Sequence, residues 1–117
     1  MAASRPGYIF IRLAGISGFS AVCCGTYGAH VLRTKPDKEH EILTFETASK
    51  YHYIHSVALM AAPLTKRPML VGSLFAGGMT IFCGAAYYYA FTSDATPVPS
   101  MPYGGALLMA GWLAMVL

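Results

Sequence analysis

Two histidines three residues apart, His52 and His55, are the residues here whose type and spacing could do chemistry. On a helix they share a face, with Ser56 at its border. Imidazoles so placed bind zinc, copper or haem iron, or pass protons near neutral pH. Four residues before Lys50 stands Glu46, in the favourable order for a helical ion pair inside the membrane. At about 100° per residue, Glu46 lies about 180° around the helix from His55. The segment thus carries a histidine face and a separate Glu46–Lys50 face. Ser56 with His52 four residues before it resembles half of a nucleophilic pair, but no carboxylate points the same way to orient the ring. No H-E-x-x-H pattern and no cysteine ligand accompanies the histidines. The expectation is no enzyme, no metal and no cofactor, with the imidazoles bonding one helix to another.

The elements that must position these groups are apolar. Of 117 residues, 56% are hydrophobic and 11% charged, against about 25% charged in soluble domains. The charges bunch in Arg33-Thr34-Lys35-Pro36-Asp37-Lys38 and at Lys66-Arg67, with long uncharged stretches between, as a bilayer divides a sequence. The net charge of +3 forms no basic stripe, so nucleic acid is not an expected partner. Cys23, Cys24 and Cys83 lie in apolar segments without C-x-x-C spacing and read as inert buried thiols.

Four spans follow, at about 13–32, 45–64, 69–92 and 102–117. The first carries one ionisable group, His30. The second belongs to a helix starting at Pro36-Asp37, with Glu39 and Glu41 in its first turn. Pro63 and Pro68 bracket a tight turn. The third span has no charge and ends in Tyr87-Tyr88-Tyr89, an interfacial aromatic belt. The fourth starts at Pro102, a good first helical position, and places Trp112 near the far interface. The fold class is all-α, one four-helix membrane bundle with both termini on one side. That side holds Arg5, Arg12, Lys66 and Arg67, against Arg33, Lys35 and Lys38 opposite, a small positive-inside bias.

Small residues recur at helical spacing: Gly18, Ala21, Gly25 and Gly28 in the first span, Ser73, Gly77, Thr80 and Gly84 in the third, Gly104 and Gly105 in the fourth. In lipid, helices associate by close backbone approach at such residues. The expected use is packing inside the bundle, the alternative a groove for another membrane protein. A polar cluster of His30, His52, Tyr87, Tyr88 and Tyr103 is expected at one face of the bundle, with His55 a turn deeper and bonded to Thr26, Tyr27, Tyr87 or Tyr88.

Several short motifs stand in register: Gly28-Ala29-His30, the run F-E-T-A-S-K-Y-H-Y-I-H from Phe45 to His55, Ser56-Val57-Ala58-Leu59, Phe82-Cys83-Gly84 with Tyr87-Tyr88, Gly104-Gly105 and Gly111-Trp112. With these the chain resembles the transmembrane protein 256 family, also described as domain of unknown function 423. The resemblance implies a four-helix membrane protein with no assigned activity. It also implies Gln at the His52 position in bacterial relatives, so His30 and His55 fit the family pattern better. Animal relatives look mitochondrial, and the acid-free first 36 residues suit such targeting. The expected role is a structural or accessory protein of the inner mitochondrial membrane, lipid around it, docked on a larger membrane complex such as a respiratory enzyme. The alternatives are another membrane such as the endoplasmic reticulum, and an oligomeric transporter or proton-handling protein using the histidine face.

Overall fold

The structure, a computed structural model, describes residues 7–117. Arg5, counted in the charge bias, lies outside them. Four α-helices follow one another: α1 Ile9–His30, α2 Glu39–Met60, α3 Pro68–Thr92 and α4 Met101–Ala114. Short 3₁₀ turns, Leu32–Thr34, Ala62–Leu64 and Val98–Ser100, lie between them.

Local chemistry sets the ends. Asp37 adopts φ 59°, a left-handed conformation no α-helical residue holds, so α2 starts after it and not at Pro36-Asp37. Pro63 sits in the 3₁₀ turn that ends α2, so the helix stops short of residue 64. Pro68 opens α3, where its missing N–H costs nothing. Ser93 closes α3 in the left-handed region, φ 62°, and its amide donates to the Tyr89 carbonyl at 2.7 Å.

The helices pack in chain order, α1 on α2, α2 on α3 and α3 on α4, each pair antiparallel. On α1, Ala21, Gly25 and Gly28 face α2. A Cβ on Gly28 would enter the Phe45 ring, and one on Gly25 would stand 2.8 Å from the Tyr53 hydroxyl. Gly18 turns outward, and a Cβ there would meet nothing within 4 Å. On α4, Gly104 lies against the α3 backbone, 2.6 Å from the Phe82 nitrogen to its would-be Cβ, and Gly111 lies under Phe75.

The small-residue stripe expected to pack α3 does not pack it. Ser73 and Thr80 are exposed, a Cβ on Gly84 would meet nothing within 4 Å, and one on Gly77 only Leu107 at 3.9 Å. Gly72 receives the Phe10 ring instead, and Gly78 receives Leu108. Helix α3 is apolar on every side, so periodicity alone gives no rotational phase. The core is Phe10, Leu59, Val71, Phe75, Met79 and Leu108 with small alanines, drawn from all four helices. Of the cysteines only Cys83 is buried; Cys23 is exposed.

Two of the four helices are long and apolar enough to cross a membrane, residues Ile9–Thr34 (α1 with its following turn) and Pro68–Thr92. Helix α2 carries Glu39, Glu41, Glu46 and Lys50, and α4 has 14 residues.

Candidate functional site

The antiparallel packing gathers the polar side chains of α2 against three neighbours. His55 is 5% exposed. The Trp112 indole N–H, a donor only, gives its proton to His55 Nε2 at 3.0 Å. That contact fixes the tautomer: Nε2 is the acceptor, so Nδ1 carries the hydrogen and donates it to the Tyr51 carbonyl at 2.8 Å. Both ring nitrogens are occupied and the imidazole is neutral. The ring also meets Phe75 and Trp112 edge-on, at centroid distances of 5.7 Å for each.

The partner of His55 is therefore on α4, and not Thr26, Tyr27, Tyr87 or Tyr88. Trp112, expected near the far interface, turns its N–H inward to His55. Nothing in the sequence marks this except the Gly111-Trp112 step: a glycine lets Phe75 close in beside the indole, with centroids 5.2 Å apart.

His52 faces α3 a turn earlier, its Nδ1 2.9 Å from the Tyr87 hydroxyl. Ser56 does not reach the His52 ring. Its hydroxyl donates to the His52 carbonyl at 2.6 Å, so no Ser–His nucleophilic pair forms. Ser17 of α1, a residue sequence reasoning passed over, lies 2.6 Å from the Ser56 oxygen and donates to it, the Ser56 proton being already engaged. Among the described residues no buried side-chain nitrogen or oxygen lacks a partner.

The expected cluster is thus divided. His52 and Tyr87 meet, and His55 lies deeper on the α4 side. His30 is exposed at the end of α1, and Tyr88 points outward to Asp94, 3.3 Å from its carboxylate. Among the described residues no three His, Cys, Asp or Glu side chains converge as metal ligands.

The Glu46–Lys50 ion pair is replaced by another. Glu46 accepts from Arg33 at 3.0 Å, because antiparallel packing carries the chain after α1 alongside the second turn of α2. A tertiary partner with a forked guanidinium displaces the local one. Lys50 has no ion pair or hydrogen bond among the described residues. It borders an open groove of about 670 Å³ between α2 and α4, walled by Tyr51, Ile54, Phe82, Leu108, Met109 and Trp112.

A second ionic contact clips the loops together. Lys38 lies 3.5 Å from Glu41, and Ser93 donates to Glu41 at 2.7 Å. The Ser93 hydroxyl bond, then the Glu41 amide and Lys38, hold the Glu41 carboxyl below its usual range. Asp94 is likewise held low, first by the Thr96 hydroxyl and then by the Thr96 amide.

Residues 24–105 match the model of a protein family of unknown function, DUF423. A UPF0382 membrane protein of Schizosaccharomyces pombe is 27% identical over 113 residues, covering 90% of this chain and 96% of its own. A UPF0382 membrane protein of Haemophilus influenzae is 28% identical, over 91% of this chain and 89% of its own. The UPF0382 inner membrane protein YgdD of Escherichia coli K12 is 30% identical, over 88% and 82%. No solved structure matches. The family match over most of the chain, the near full-length membrane-protein relatives and the two span-length helices together place this chain in the DUF423 family of membrane proteins of unknown function.

Proposed function

We propose that the protein crosses the membrane four times and acts without catalysis, as a structural or accessory component docked on a larger complex of the inner mitochondrial membrane. The four-span reading rests on direction. Helices α1 and α3 each run antiparallel to α2, so they run parallel to one another. If both cross the bilayer in the same sense, the chain must return between them, and α2 is the only segment available. Its two histidines and Ser56 are turned to protein: His52 to Tyr87, His55 to Trp112, Ser56 to α1. The molecule is 51 Å along its long axis, enough for a bilayer of about 40–45 Å including headgroups.

The observation that carries the accessory reading is the outward stripe Ser73, Gly77, Thr80 and Gly84 on α3. Small residues that do not pack their own bundle leave room for the close approach of another helix. An inner-membrane site is supported by the bacterial relative named as an inner membrane protein and by the acid-free N-terminal segment. A respiratory complex is one partner of the right kind. The transport alternative loses its motive at His55, whose two nitrogens are both engaged.

The test is extraction of the native membrane in mild detergent, followed by native gels and photocrosslinking from position 84. A larger assembly, crosslinked from Gly84 and not from the packed Gly104, is the expected result. Migration only as a free species near the 12.5 kDa monomer mass argues against it.

A further inference from the structure

We propose that the α2–α4 groove is a binding site for an anionic phospholipid, with the phosphate at Lys50 and an acyl chain laid along the groove toward Trp112. This rests on α2 spanning the membrane.

The pairing of Arg33 with Glu46 leaves Lys50, one turn further along α2, a cation without a counter-ion among the described residues. Lysines in membrane segments are costly and find an anion or water. The four-carbon stem lets the ammonium rise about a turn, to the level of the Arg33–Glu46 pair and so toward the headgroups. Directly beside it the groove opens, about 670 Å³ with walls that are almost wholly apolar. It runs past Ile54, Gly105 and Met109 to the exposed edge of Trp112. His55 at its floor offers no free donor or acceptor, since both nitrogens are bonded within the protein. A polar small molecule would find little to bond there. A chain of methylenes ending in a negative charge matches what is present: an apolar trough with one cation at its mouth. Gly105 keeps the trough open, because a Cβ there would meet only the Phe82 ring edge at 4.0 Å.

Trp112 is the only tryptophan in the chain, so its fluorescence reports the groove. The full-length protein is reconstituted in phosphatidylcholine vesicles. A minor, matched fraction is brominated phosphatidylglycerol, brominated phosphatidylcholine or brominated fatty acid. The phosphatidylglycerol should compete for the site about fivefold better than the phosphatidylcholine, the factor expected when one basic residue attracts an anionic lipid. Lys50→Gln should equalise the two, Lys50→Arg should retain the preference, and Gly105→Met should lower quenching by both. Equal quenching of the wild type by both phospholipids, or a preference unchanged in Lys50→Gln, overturns the proposal. A preference for the fatty acid over both phospholipids overturns it too. Failure of every brominated lipid to quench Trp112 would instead count against α2 and α4 lying in the bilayer, which separates the two readings.

Discussion

The Trp112 indole donates to His55 Nε2 across 3.0 Å and is the polar tie between α2 and α4. Because the His55 Nδ1–H donates to the Tyr51 carbonyl, Nε2 can only accept and Trp112 can only donate. Single substitutions His55→Ala and Trp112→Phe should each loosen the bundle. A double-mutant cycle should give a coupling of about 0.6 kcal/mol, and no more than about 1.7, the range for side-chain bonds within membranes. Reversible unfolding in mixed micelles measures it. Zero coupling would mean that the bond does not form in the membrane, and stoichiometric zinc, copper or haem iron on purified wild type would overturn the neutral, doubly bonded imidazole.

Two glycines separate internal packing from the outer surface. A Cβ on Gly104 would stand 2.6 Å from the Phe82 nitrogen and 2.9 Å from the Gly78 carbonyl, backbone atoms that cannot swing aside. Gly104→Ala should cost about 1–3 kcal/mol as overpacking. Gly84→Ala meets nothing within 4 Å and should be neutral, or stabilise by up to about 1 kcal/mol through helix propensity. Thermal unfolding in detergent separates them. If Gly84→Leu leaves stability intact but dissolves the native assembly, the outward stripe is the docking face.

The legible part of the fold was what charge and phase determine. The uncharged run to Thr92 marked α3, and a rotation of about 100° per residue put His52 and His55 on one face. Two things depended on tertiary neighbours. Helix α3 is apolar all round, so its packing line through Gly72 and Gly78 could not be told from the one through Gly77 and Gly84. Glu46 had a local partner at the right spacing, yet Arg33 reaches it only after α1 folds back along α2. The hydrogen-bond role of Trp112 depended on a neighbour in the same way: an indole near a helix end gives no sign of the histidine on another helix that faces it.

Acid should open the clip between the loops. The Glu41 carboxyl is held below the ordinary value of 4.5, first by the Ser93 hydroxyl. A depressed carboxylate stabilises the folded state above its unfolded pKa, and that stabilisation is lost as pH falls through the folded value. The Glu41–Ser93 tie should therefore be intact at neutral pH and weaken only below 4.5. Hydrogen exchange near Ser93 should quicken in that window, and Glu41→Gln should exchange faster already at neutral pH. An exchange rate in the wild type that is flat down to strong acid would show that the clip does not hold this loop.

Both termini should share a compartment, the matrix if the membrane is the inner mitochondrial one. Helices α1 to α4 alternate in direction, so four crossings bring the chain back to the side it started from. Protease treatment of mitoplasts carrying a tag at each end reads this directly. Cleavage of one tag with protection of the other would leave an odd number of crossings and break the four-span reading.

Arg33 gives a second lever on Lys50 that leaves the groove untouched. The Arg33–Glu46 bridge is open to solvent, with side chains 59% and 44% exposed, so its own contribution to stability should be at most about 1 kcal/mol. Its larger effect is on partnership. With Arg33 occupied by Glu46, Lys50 has no carboxylate among the described residues; with Arg33 removed, Glu46 lies one helical turn before Lys50, in the order that favours an ion pair. Arg33→Ala should therefore divert Lys50 to Glu46 and reduce the preference of the groove for anionic phospholipid, with little change in unfolding. The double variant Arg33→Ala/Glu46→Ala frees Lys50 again and should restore the preference. If the double variant stays as unselective as Arg33→Ala, the anion was being held by Arg33 itself, and Lys50 is not the headgroup contact.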